Sequence, residues 1–481
     1  MSFINRANII VKALDKLDKK VKQGKGKVIN LCSMQELISE LNLKAFIKDG
    51  SMSENELAQF VEKYLLATTK LNHPGFFAHQ VAPPHYAGSL GSMIDGFTNN
   101  AMAIYEMGPP AAAIEYFLIN WFLKKVGWNP SPLPGSDLKN NNLQFGGGVL
   151  THGGSLANLT AMLAARNQIA PDAWENGNPN DLALLAPSGS HYSNARSAGI
   201  LGIGQKAIYH LQLDKNGSII PDKLEQVYLK MKNDGKRPIA LIANACSTAV
   251  GIYDPLDETG DFCNENNIWF HVDGAHGASV LLSEKYKHLV KGIEKADSLT
   301  WDAHKLMQVP TLCAALLFKD HKSIDTAFKQ EASYLFHEKE QPGFDFLHRT
   351  IECTKAGLGL KLFMVLAALG EKGLSDYIES RTELTLKAYE YIQSLPNFEC
   401  PVKPESNILC FKIKGDDDLQ IKIRDTLIAK GDFYLSTTSF NDIRYLRFVI
   451  MSPATNFKNI KQTITNIGQV KDSLNGYKRC L

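Results

Sequence analysis

The chain has 481 residues, of which 44% are hydrophobic, so it is long enough to bury a large core and to form two or three domains. Its 52 basic and 50 acidic residues nearly balance, which argues against nucleic acid as a partner, and its longest apolar runs are too short to cross a membrane. The eight cysteines form no Cys-x-x-Cys pair and the N-terminus lacks a secretory pattern. We therefore expect a reduced, cytoplasmic protein with neither a structural metal site nor a disulfide scaffold.

The first hundred residues are predicted to be largely helical. Residues 9–21 have amphipathic spacing, and Ser53 and Glu56 have the spacing of a capping box, in which both side chains satisfy free backbone donors at the start of a helix. Residues 76–84 (FFAHQVAPP) form a loop bounded by prolines. This loop either packs against the core or forms a wall of a substrate pocket.

From about residue 140, short apolar strands alternate with amphipathic helices. Strand candidates are residues 181–186, 239–243, 268–272 and 298–301, and helix candidates are residues 155–169 and 222–232. This alternation predicts an α/β fold with a mostly parallel sheet that is covered on both faces. In such sheets ligands bind beyond the carboxyl ends of the strands.

After about residue 355 the pattern changes to that of a smaller α+β domain. Predicted helices are residues 357–369, 374–395, 419–430 and 456–474, and predicted strands are residues 407–414, 433–437 and 445–451.

A glycine-rich segment at residues 146–155 (GGGVLTHGGS) leads into the helix candidate at residues 155–169. Glycines let the backbone approach a ligand, and the start of a helix offers free N–H groups and the positive end of its dipole. Gly153, Gly154 and Ser155 therefore form either a phosphate cup or a tight turn that packs the helix on the sheet. The segment matches neither the dinucleotide-binding fingerprint nor a P-loop.

Four further residues follow predicted strands in chain order. His191 is either a loop histidine or a flat ring that stacks on a cofactor. Asp273 ends a buried strand and requires a partner, such as a protonated pyridine nitrogen, unless it caps a helix. Ala275 is small enough for a ring to lie flat, and the amine of Lys305 can form an imine with an aldehyde. Their joint occurrence with the glycine segment favours the functional interpretation.

These segments resemble the pyridoxal-phosphate-dependent group II amino-acid decarboxylases, which include glutamate, 2,4-diaminobutyrate and aromatic-amino-acid decarboxylases. The matching segments are residues 73–77 (HPGFF), the glycine segment, 190–193 (SHYS), 271–275 (HVDGA) and 297–305 (DSLTWDAHK), with weaker matches at 332–336 (ASYLF) and 447–449 (RFV).

The resemblance implies an aspartate-aminotransferase-type (fold type I) enzyme that acts as a homodimer with shared active sites. It also implies three parts: an N-terminal helical arm with the pocket loop (residues 1–105), a large cofactor domain (106–370) and a small C-terminal domain (371–481). The expected partners are the amino-acid substrate and a second copy of the chain.

The resemblance assigns five residues to the cofactor ring. Lys305 would bind pyridoxal 5'-phosphate through an imine, and Asp273 would pair with the pyridine nitrogen, which keeps the ring able to accept electrons. His191 would stack on one face of the ring and Ala275 would lie against the other. Thr248 would contact the ring on its oxygen side. Lys305, Asp273 and His191 are thus the predicted catalytic residues.

The phosphate and the substrate carboxylate have their own predicted ligands. Gly154, Ser155 and His304 would bind the phosphate. Asp302 lies nearby where glutamate and aromatic members usually carry asparagine, and a carboxylate there is repulsive unless it is paired or turned away. Arg447 resembles the arginine near the substrate carboxylate.

The chain departs from the family in a loop. Family decarboxylases place a tyrosine there to protonate the α-carbon, but residues 337–349 contain none, and Phe344 or Phe346 stands near the expected position. In some relatives phenylalanine at that position accompanies oxidative conversion to an aldehyde, so an aldehyde synthase is the alternative function. Candidate proton donors are His191, His337, His348 and a residue of a neighbouring subunit.

The substrate is predicted to be glutamate-like or diaminobutyrate-like, with an aromatic amino acid as the alternative. Pocket candidates are Phe77, His79, Gln80 and Met102. A side-chain carboxylate would bind a donor such as His79 or Gln80, whereas an ω-amine would bind an acid such as Glu106. A lyase for phosphorylated sphingoid bases and a non-catalytic homologue are further alternatives.

Overall fold

The structure is a computed structural model that describes residues 2–135, 144–328, 343–352 and 354–478. Internal contacts group the chain into two units, one formed by Pro84–Ser380 and the other by Met1–Pro83 together with Arg381–Leu481. This grouping by contacts is a different division from the predicted boundaries near residues 105 and 370, which stay a prediction.

The helices agree closely with the predicted ones. In chain order they are α1 (Phe3–Lys22), α2 (Met34–Glu40), α3 (Leu43–Asp49), α4 (Glu54–Ala67), α5 (Tyr86–Thr98), α6 (Pro109–Val126), α7 (Gly154–Ile169), α8 (Ala173–Asn176), α9 (Ser193–Ile200), α10 (Leu224–Asn233), α11 (Leu256–Glu265), α12 (His321–Asp325), α13 (Leu358–Gln393), α14 (Asp417–Lys430) and α15 (Phe457–Lys478). Short 3-10 helices lie at Tyr105–Met107, Gln205–Ala207, Pro221–Lys223, Gly277–Leu282, Lys287–Val290, Ile293–Lys295 and Phe346–Arg349.

Two sequence signals for helices are confirmed in detail. At the start of α4 the Ser53 hydroxyl accepts from the Glu56 N–H, and the Glu56 carboxylate accepts from the Ser53 N–H at 2.7 Å, so the capping box is present. The two helices predicted at residues 357–369 and 374–395 form α13, which is interrupted at Gly370 by a positive φ of 65°. Glycine suits that position because it adopts positive φ without a steric cost.

The unit Pro84–Ser380 is built around a mostly parallel sheet, as predicted. Its strands in the described residues are β1 (Gly147–Thr151), β2 (Leu182–Pro187), β3 (Ile208–Leu211), β4 (Arg237–Asn244), β5 (Phe270–Asp273), β6 (Ser298–Asp302) and β7 (Ala314–Phe318), in the order β1-β7-β6-β5-β4-β2-β3. β3, β2, β4, β5 and β6 are parallel to one another, whereas β7 runs antiparallel to both β6 and β1. The carboxyl ends of β1, β2, β4, β5 and β6 consequently lie at one edge.

The core of this unit explains why the strands read as continuous apolar runs. β1, β2, β6 and β7 are buried along their whole length, as expected for a sheet covered on both faces. α7 contributes small side chains, such as Ala157, Ala161 and Ala165, to a hydrophobic core that it shares with strands of the sheet. These alanines allow the helix to lie close to the sheet, which brings its first turn to the edge where the strands end.

The other unit contains a smaller antiparallel sheet. Its strands are β8 (Phe398–Glu399), β9 (Ile408–Ile413), β10 (Ser436–Phe440) and β11 (Ile443–Val449), in the order β10-β11-β9-β8. The sheet shares a core with α14 and α15, and Phe77 from the N-terminal segment stacks on Phe448 with ring centroids 4.5 Å apart. The predicted small α+β architecture is confirmed.

One strand prediction was displaced along the chain. The strand expected at residues 433–437 is observed as β10 (Ser436–Phe440), where it pairs with β11 across the two-residue turn Asn441 and Asp442. Both turn residues have positive φ, 49° and 60°. A two-residue turn of this kind fixes which residues of a hairpin pair with each other, so the turn rather than the apolar pattern determines the position of β10.

Within the described ranges, none of the helices has both the length and the apolar character needed to cross a bilayer. The same part of the chain holds no cluster of three or more histidine, cysteine, aspartate or glutamate side chains suited to a metal ion.

Candidate active site

The residues predicted to bind a cofactor gather at the edge where the parallel strands end. His191 follows β2, Thr248 follows β4, Asp273 ends β5 and Lys305 follows β6. Gly154 begins α7, directly after β1. The topology therefore brings residues from five separate parts of the sequence to one edge of the sheet. This is the edge at which sheets of this type bind their ligands.

Asp273 is a buried carboxylate with two hydrogen-bond donors. Its Oδ2 accepts from Asn158 Nδ2 at 2.8 Å, and its Oδ1 accepts from the Ala275 N–H at 3.3 Å. It stands at the end of β5 and the 3-10 helix beyond it is preceded by His276, so the helix-cap alternative is wrong. A carboxylate offers about four acceptor positions, so Asp273 retains capacity for a further N–H group.

Asn158, on α7, connects Asp273 to the interior of the sheet. Its Oδ1 accepts from Thr300 Oγ1 at 2.7 Å and from His271 Nε2 at 3.2 Å, and its Nδ2 also donates to Ser193 Oγ at 3.0 Å. Both N–H groups and the carbonyl of this amide are thus in use. The amide is held in one orientation, which fixes the position of the Asp273 carboxylate.

His271 extends the hydrogen-bond network of Asn158 into the interior of the sheet. Complete burial lowers the pKa of His271 to about 4, so the ring is neutral near neutral pH. Because Nε2 donates to Asn158, Nδ1 is the acceptor of the Ser298 hydroxyl at 2.8 Å. Trp269 Nε1 donates to the same hydroxyl oxygen at 2.9 Å. The network therefore runs from the sheet interior to Asp273 with its donors and acceptors matched.

His191 is oriented by Ser193. The Ser193 backbone N–H donates to His191 Nδ1 at 3.2 Å and the Ser193 hydroxyl lies 2.8 Å from the same nitrogen. Since a backbone N–H only donates, Nδ1 is an acceptor and the ring proton resides on Nε2. Burial lowers the pKa of His191, the charge of Asp273 opposes that shift and the charge of Lys305 adds to it. His191 is therefore within electrostatic reach of both.

Lys305 lies in the turn after β6 and forms an ion pair with Asp302. Its Nζ is 3.2 Å from Asp302 Oδ2, and His304 Nε2 is 3.6 Å from the same oxygen. His304 is buried, and its Nδ1 lies 2.9 Å from the Cys313 carbonyl oxygen. The turn after β6 is joined to the turn after β5 because the Asp302 N–H donates to the Ala275 carbonyl at 3.1 Å.

The glycine segment forms the first turn of α7. Gly153 precedes the helix with a φ of 101°, a conformation that suits glycine. A Cβ atom on Gly154 would lie 2.8 and 2.9 Å from the two oxygens of Asp302, so a larger residue there would have to displace the Asp302 carboxylate. The first N–H groups of α7 have no acceptor within the helix. The turn therefore presents donors and a close backbone approach, as an anion site requires.

These residues fit pyridoxal phosphate. Asp273 is a buried carboxylate with unused acceptor capacity, Lys305 is an amine at the same edge of the sheet, and the start of α7 provides a cradle of backbone donors in which Gly154 lies against Asp302. The three groups match the ring nitrogen, the aldehyde and the phosphate of that cofactor.

The predicted substrate residues lie in the other unit. His79 Nε2 is 2.9 Å from the hydroxyl oxygen of Tyr434, and Arg447 on β11 donates to the Ala78 carbonyl at 3.5 Å. Partial desolvation and then the charge of Arg447 lower the pKa of His79. Gln80, the residue after His79, is half-buried. This unit therefore places a buried arginine close to a neutral histidine.

Some predicted pocket residues have a packing role instead. Phe77 is 0% exposed and Met102 is 1% exposed, each within a hydrophobic core, so neither lines an open pocket. Phe344 lies against Tyr116 and Phe346, with ring centroids 5.1 and 4.9 Å apart. His337 and the weak match at residues 332–336 lie outside the described residues.

Sequence reasoning missed Asn158, Thr300, His271 and Ser193. The available signal was a polar residue within an apolar pattern: Asn158 interrupts a helix rich in alanine and leucine, and Thr300 and His271 occupy buried strands. Such residues require hydrogen-bond partners inside the protein. The sequence does not reveal that they are partners of one another.

Comparison with known proteins gives one consistent result. The model of the family described as "Pyridoxal-dependent decarboxylase conserved domain" matches residues 37–414. The acidic amino acid decarboxylase GADL1 of Bos taurus is 29% identical over 440 residues, which cover 87% of this chain and 81% of that protein. The L-2,4-diaminobutyrate decarboxylase of Acinetobacter baumannii is 25% identical over 470 residues, which cover 92% and 89%.

A solved structure shows the same fold. The crystal structure of mouse CSAD superposes with a TM-score of 0.85 at 25% sequence identity, over 97% of this chain and 98% of that one. The similarity thus extends over almost the whole of both chains.

Proposed function

The chain belongs to the family of pyridoxal-dependent decarboxylases, with the type I fold of these enzymes, and from this premise we propose which amino acid it decarboxylates and which residues act. The protein is a lyase that uses pyridoxal 5'-phosphate to release CO2 from an amino acid. We propose a short L-amino acid of the glutamate or 2,4-diaminobutyrate type as the substrate. The gathering of Lys305, Asp273 and His191 at one edge of the sheet is the observation that carries the assignment of the site.

The cofactor contributes an electron-accepting ring that stabilises the electron pair left behind when CO2 departs. Asp273, whose carboxylate is held in place by Asn158, would pair with the ring nitrogen and keep a proton on it. His191 would stack on one face of the ring, and the small side chain of Ala275 would leave room on the other. Thr248 would contact the oxygen side of the ring, and the amine of Lys305 would be the point of covalent attachment.

The phosphate is held at the start of α7. Gly154 and Ser155 offer backbone and hydroxyl donors there, and His304 approaches from the turn after β6. Residues that hold the phosphate would restrict the orientation of the cofactor between the sheet edge and His191.

We assign the returning proton to His191. In the resting ring Nε2 carries the proton, because Nδ1 accepts from the Ser193 N–H, and burial lowers the pKa of His191. This assignment replaces the loop tyrosine, which residues 337–349 lack. The neutral ring first takes up a proton from solvent, and the imidazolium so formed gives a proton to the α-carbon and returns to the neutral state.

The substrate assignment rests on the unit that contains Arg447. Arg447 can pair with the α-carboxylate that every amino-acid substrate carries, so it does not distinguish among substrates. The neutral His79 and the amide of Gln80 can donate hydrogen bonds to a side-chain carboxylate. The bovine relative is named for acidic amino acids and the bacterial relative for 2,4-diaminobutyrate. We therefore rank acidic substrates first and the diamino acid second.

The test is a product assay on the cofactor-loaded protein. Glutamate, aspartate, cysteine sulfinate, 2,4-diaminobutyrate, ornithine, tyrosine and dihydroxyphenylalanine are offered separately, and CO2, amine, aldehyde and peroxide are scored together. We expect amine and CO2 in equal amounts from an acidic substrate. Turnover of only the aromatic pair would refute the substrate assignment.

A second candidate function, oxidative conversion to an aldehyde, is favoured by one observation: the stretch 337–349 has no tyrosine, and Phe344 and Phe346 pack against each other. The same assay separates it from simple decarboxylation. Aldehyde together with peroxide and ammonia would establish this reaction and would exclude His191 as an efficient proton donor.

Covalent attachment is tested with Lys305→Ala. The wild-type protein, reduced with borohydride and digested, should carry the cofactor's mass on the peptide that contains Lys305, whereas the variant should carry none. His304→Gln serves as the matched control, because it changes the adjacent side chain and leaves the amine in place. Labelling of a different lysine in the wild-type protein would refute the assignment.

We also propose a homodimer in the cytoplasm. α5 presents a row of exposed large apolar side chains, which water disfavours and a second copy would cover. These side chains are Tyr86, Leu90, Met93, Ile94 and Phe97. Six cysteines lie in the described part of the chain and no disulfide joins any of them, which is consistent with a reducing compartment. Sedimentation of Leu90→Glu with Met93→Glu against the wild type tests the dimer.

A further inference from the structure

Asp302 occupies an unexpected place for a carboxylate. It ends β6, is 2% exposed and lies against the first turn of α7, where a Cβ on Gly154 would be 2.8 and 2.9 Å from its two oxygens. This is the turn to which the proposed function assigns the phosphate of the cofactor. A buried anion of the protein therefore stands beside the position of a second anion.

The two oxygens of Asp302 have different surroundings. Oδ2 lies 3.2 Å from Lys305 Nζ and 3.6 Å from His304 Nε2. Oδ1 is buried and has no hydrogen-bond partner within the described ranges of the chain. The charge of Asp302 also acts to raise the pKa of two further groups. These are His191, in the turn after β2, and the Cys313 thiol, next to β7. On α7, the backbone of Gly154 lies against the Asp302 carboxylate.

Two anions this close repel each other strongly where water is excluded. The repulsion disappears if the carboxyl group takes up a proton. A proton on Oδ1 would also convert an acceptor without a partner into an O–H donor directed at an anion, and hydrogen bonds from a hydroxyl to a charged oxygen are among the stronger ones in proteins. Both effects favour the same protonation state.

We propose that Asp302 takes up one proton when the phosphate of the cofactor binds at the start of α7, and that its Oδ1–H then donates a hydrogen bond to the phosphate. The inference rests on the proposed function for the identity of the bound group. It makes Asp302 a positioning residue, and it makes the affinity for the cofactor fall as the pH rises, because one proton must be taken from solution for each molecule bound.

The test measures binding to the full-length apoenzyme. The probe is pyridoxine 5'-phosphate, whose alcohol in place of the aldehyde prevents covalent reaction with Lys305. Titration calorimetry between about pH 7 and 8.5, repeated in buffers of different ionisation heat, counts the protons. We expect the wild type to take up one proton more per molecule than Asp302→Asn, and its affinity to fall about tenfold more per pH unit. Uptake of no proton by the wild type would overturn the proposal without any variant.

Asp302→Asn keeps the shape of the side chain, carries a permanent N–H donor and has no charge. At about pH 8.5 it should bind pyridoxine 5'-phosphate at least tenfold more tightly than the wild type, and it should take up one proton fewer per molecule bound. Pyridoxine without phosphate should bind both proteins equally. Asp297→Asn, at the other end of β6 where the carboxylate accepts from the Phe270 N–H at 2.7 Å, is the matched control and should take up as many protons as the wild type.

The outcomes separate this inference from the proposed function. If Asp302→Asn takes up as many protons as the wild type, another group is responsible and the inference is wrong. If Asp302→Asn binds no more tightly than the wild type, the carboxylate does not oppose the phosphate and the inference also fails. If neither protein binds the phosphorylated probe, the cofactor assignment itself is wrong.

Discussion

Asn158 Nδ2 lies 2.8 Å from Asp273 Oδ2, so a residue on the helix after β1 holds the carboxylate at the end of β5. The two residues are 115 positions apart in the sequence. The carbonyl of the same amide accepts from Thr300 and His271, so a rotation of Asn158 would break several buried hydrogen bonds at once. Asp273 is therefore positioned by the interior of the protein as well as by its own strand.

Asn158→Ala should weaken both the fold and the retention of the cofactor. The substitution leaves His271, Thr300 and Asp273 without a shared partner, and a buried polar group without a partner costs on the order of 1–3 kcal/mol. We expect a lower free energy of unfolding in urea and faster loss of the cofactor on dialysis. Asn167, on the same helix, donates to the Thr326 and Ala327 carbonyls at 3.1 Å. Asn167→Ala should affect stability alone, and equal cofactor loss in both variants would contradict the network.

His271 should make stability depend on pH in the acidic range. Burial depresses its pKa from 6.5 to about 4, so between these values the unfolded chain binds a proton that the folded protein does not. Stability is therefore fully present above about pH 6.5 and decreases as the pH falls toward 4, by roughly 3 kcal/mol in all. Urea unfolding at several pH values measures the slope.

His271→Gln cannot titrate, so its free energy of unfolding should depend less on pH in this window, even if the variant is less stable overall. His288 is exposed and contacts the Lys285 carbonyl, so His288→Gln should keep the pH dependence of the wild type. An unchanged slope in His271→Gln would mean that another group causes the acid sensitivity.

Lys355 and Glu115 form an ion pair in which both side chains are 0% exposed and the charged atoms are 2.5 Å apart. Removal of one partner leaves an uncompensated buried charge, so Lys355→Met should destabilise the protein by about 3–5 kcal/mol. The double variant Lys355→Met with Glu115→Gln should recover much of that loss, because no charge remains buried. Thermal or urea unfolding measures both effects.

The matched control is the exposed pair of Lys372 and Asp376, whose charged atoms are 2.6 Å apart on one face of α13. Lys372→Met should change stability by less than about 1 kcal/mol, since exposed pairs contribute little. A similar loss in Lys355→Met and Lys372→Met would show that burial does not strengthen the pair.

Arg447→Gln should raise the KM for the preferred substrate by roughly tenfold to a hundredfold, because hydrogen bonds to charged groups contribute about 1.5–3 kcal/mol. Arg447→Lys should restore part of the affinity by returning the charge. Arg444 lies on the same strand and its backbone N–H donates to Asp417 at 3.0 Å. Steady-state kinetics in which Arg444→Gln impairs KM as much as Arg447→Gln would remove Arg447 from the substrate site.

The sequence by itself determined which residues end the parallel strands. Apolar runs located the strands, and glycines located the first turn of α7, because these features depend on neighbours in the sequence. His191, Asp273 and Lys305 could therefore be assigned to one edge of a parallel sheet before any coordinates were known. The capping box at Ser53 was predictable for the same reason, since its two partners are three residues apart.

Only the tertiary structure decided which buried polar groups meet. Asn158 contacts Asp273, and Glu115 contacts Lys355, across 115 and 240 positions of the sequence, and no local pattern encodes either pair. Asp302 meets Gly154 because β1 and β6 both pair with β7, which places their ends side by side. The order of strands in a sheet follows from packing the whole chain, so the partners that tune this site appear only once the chain has folded.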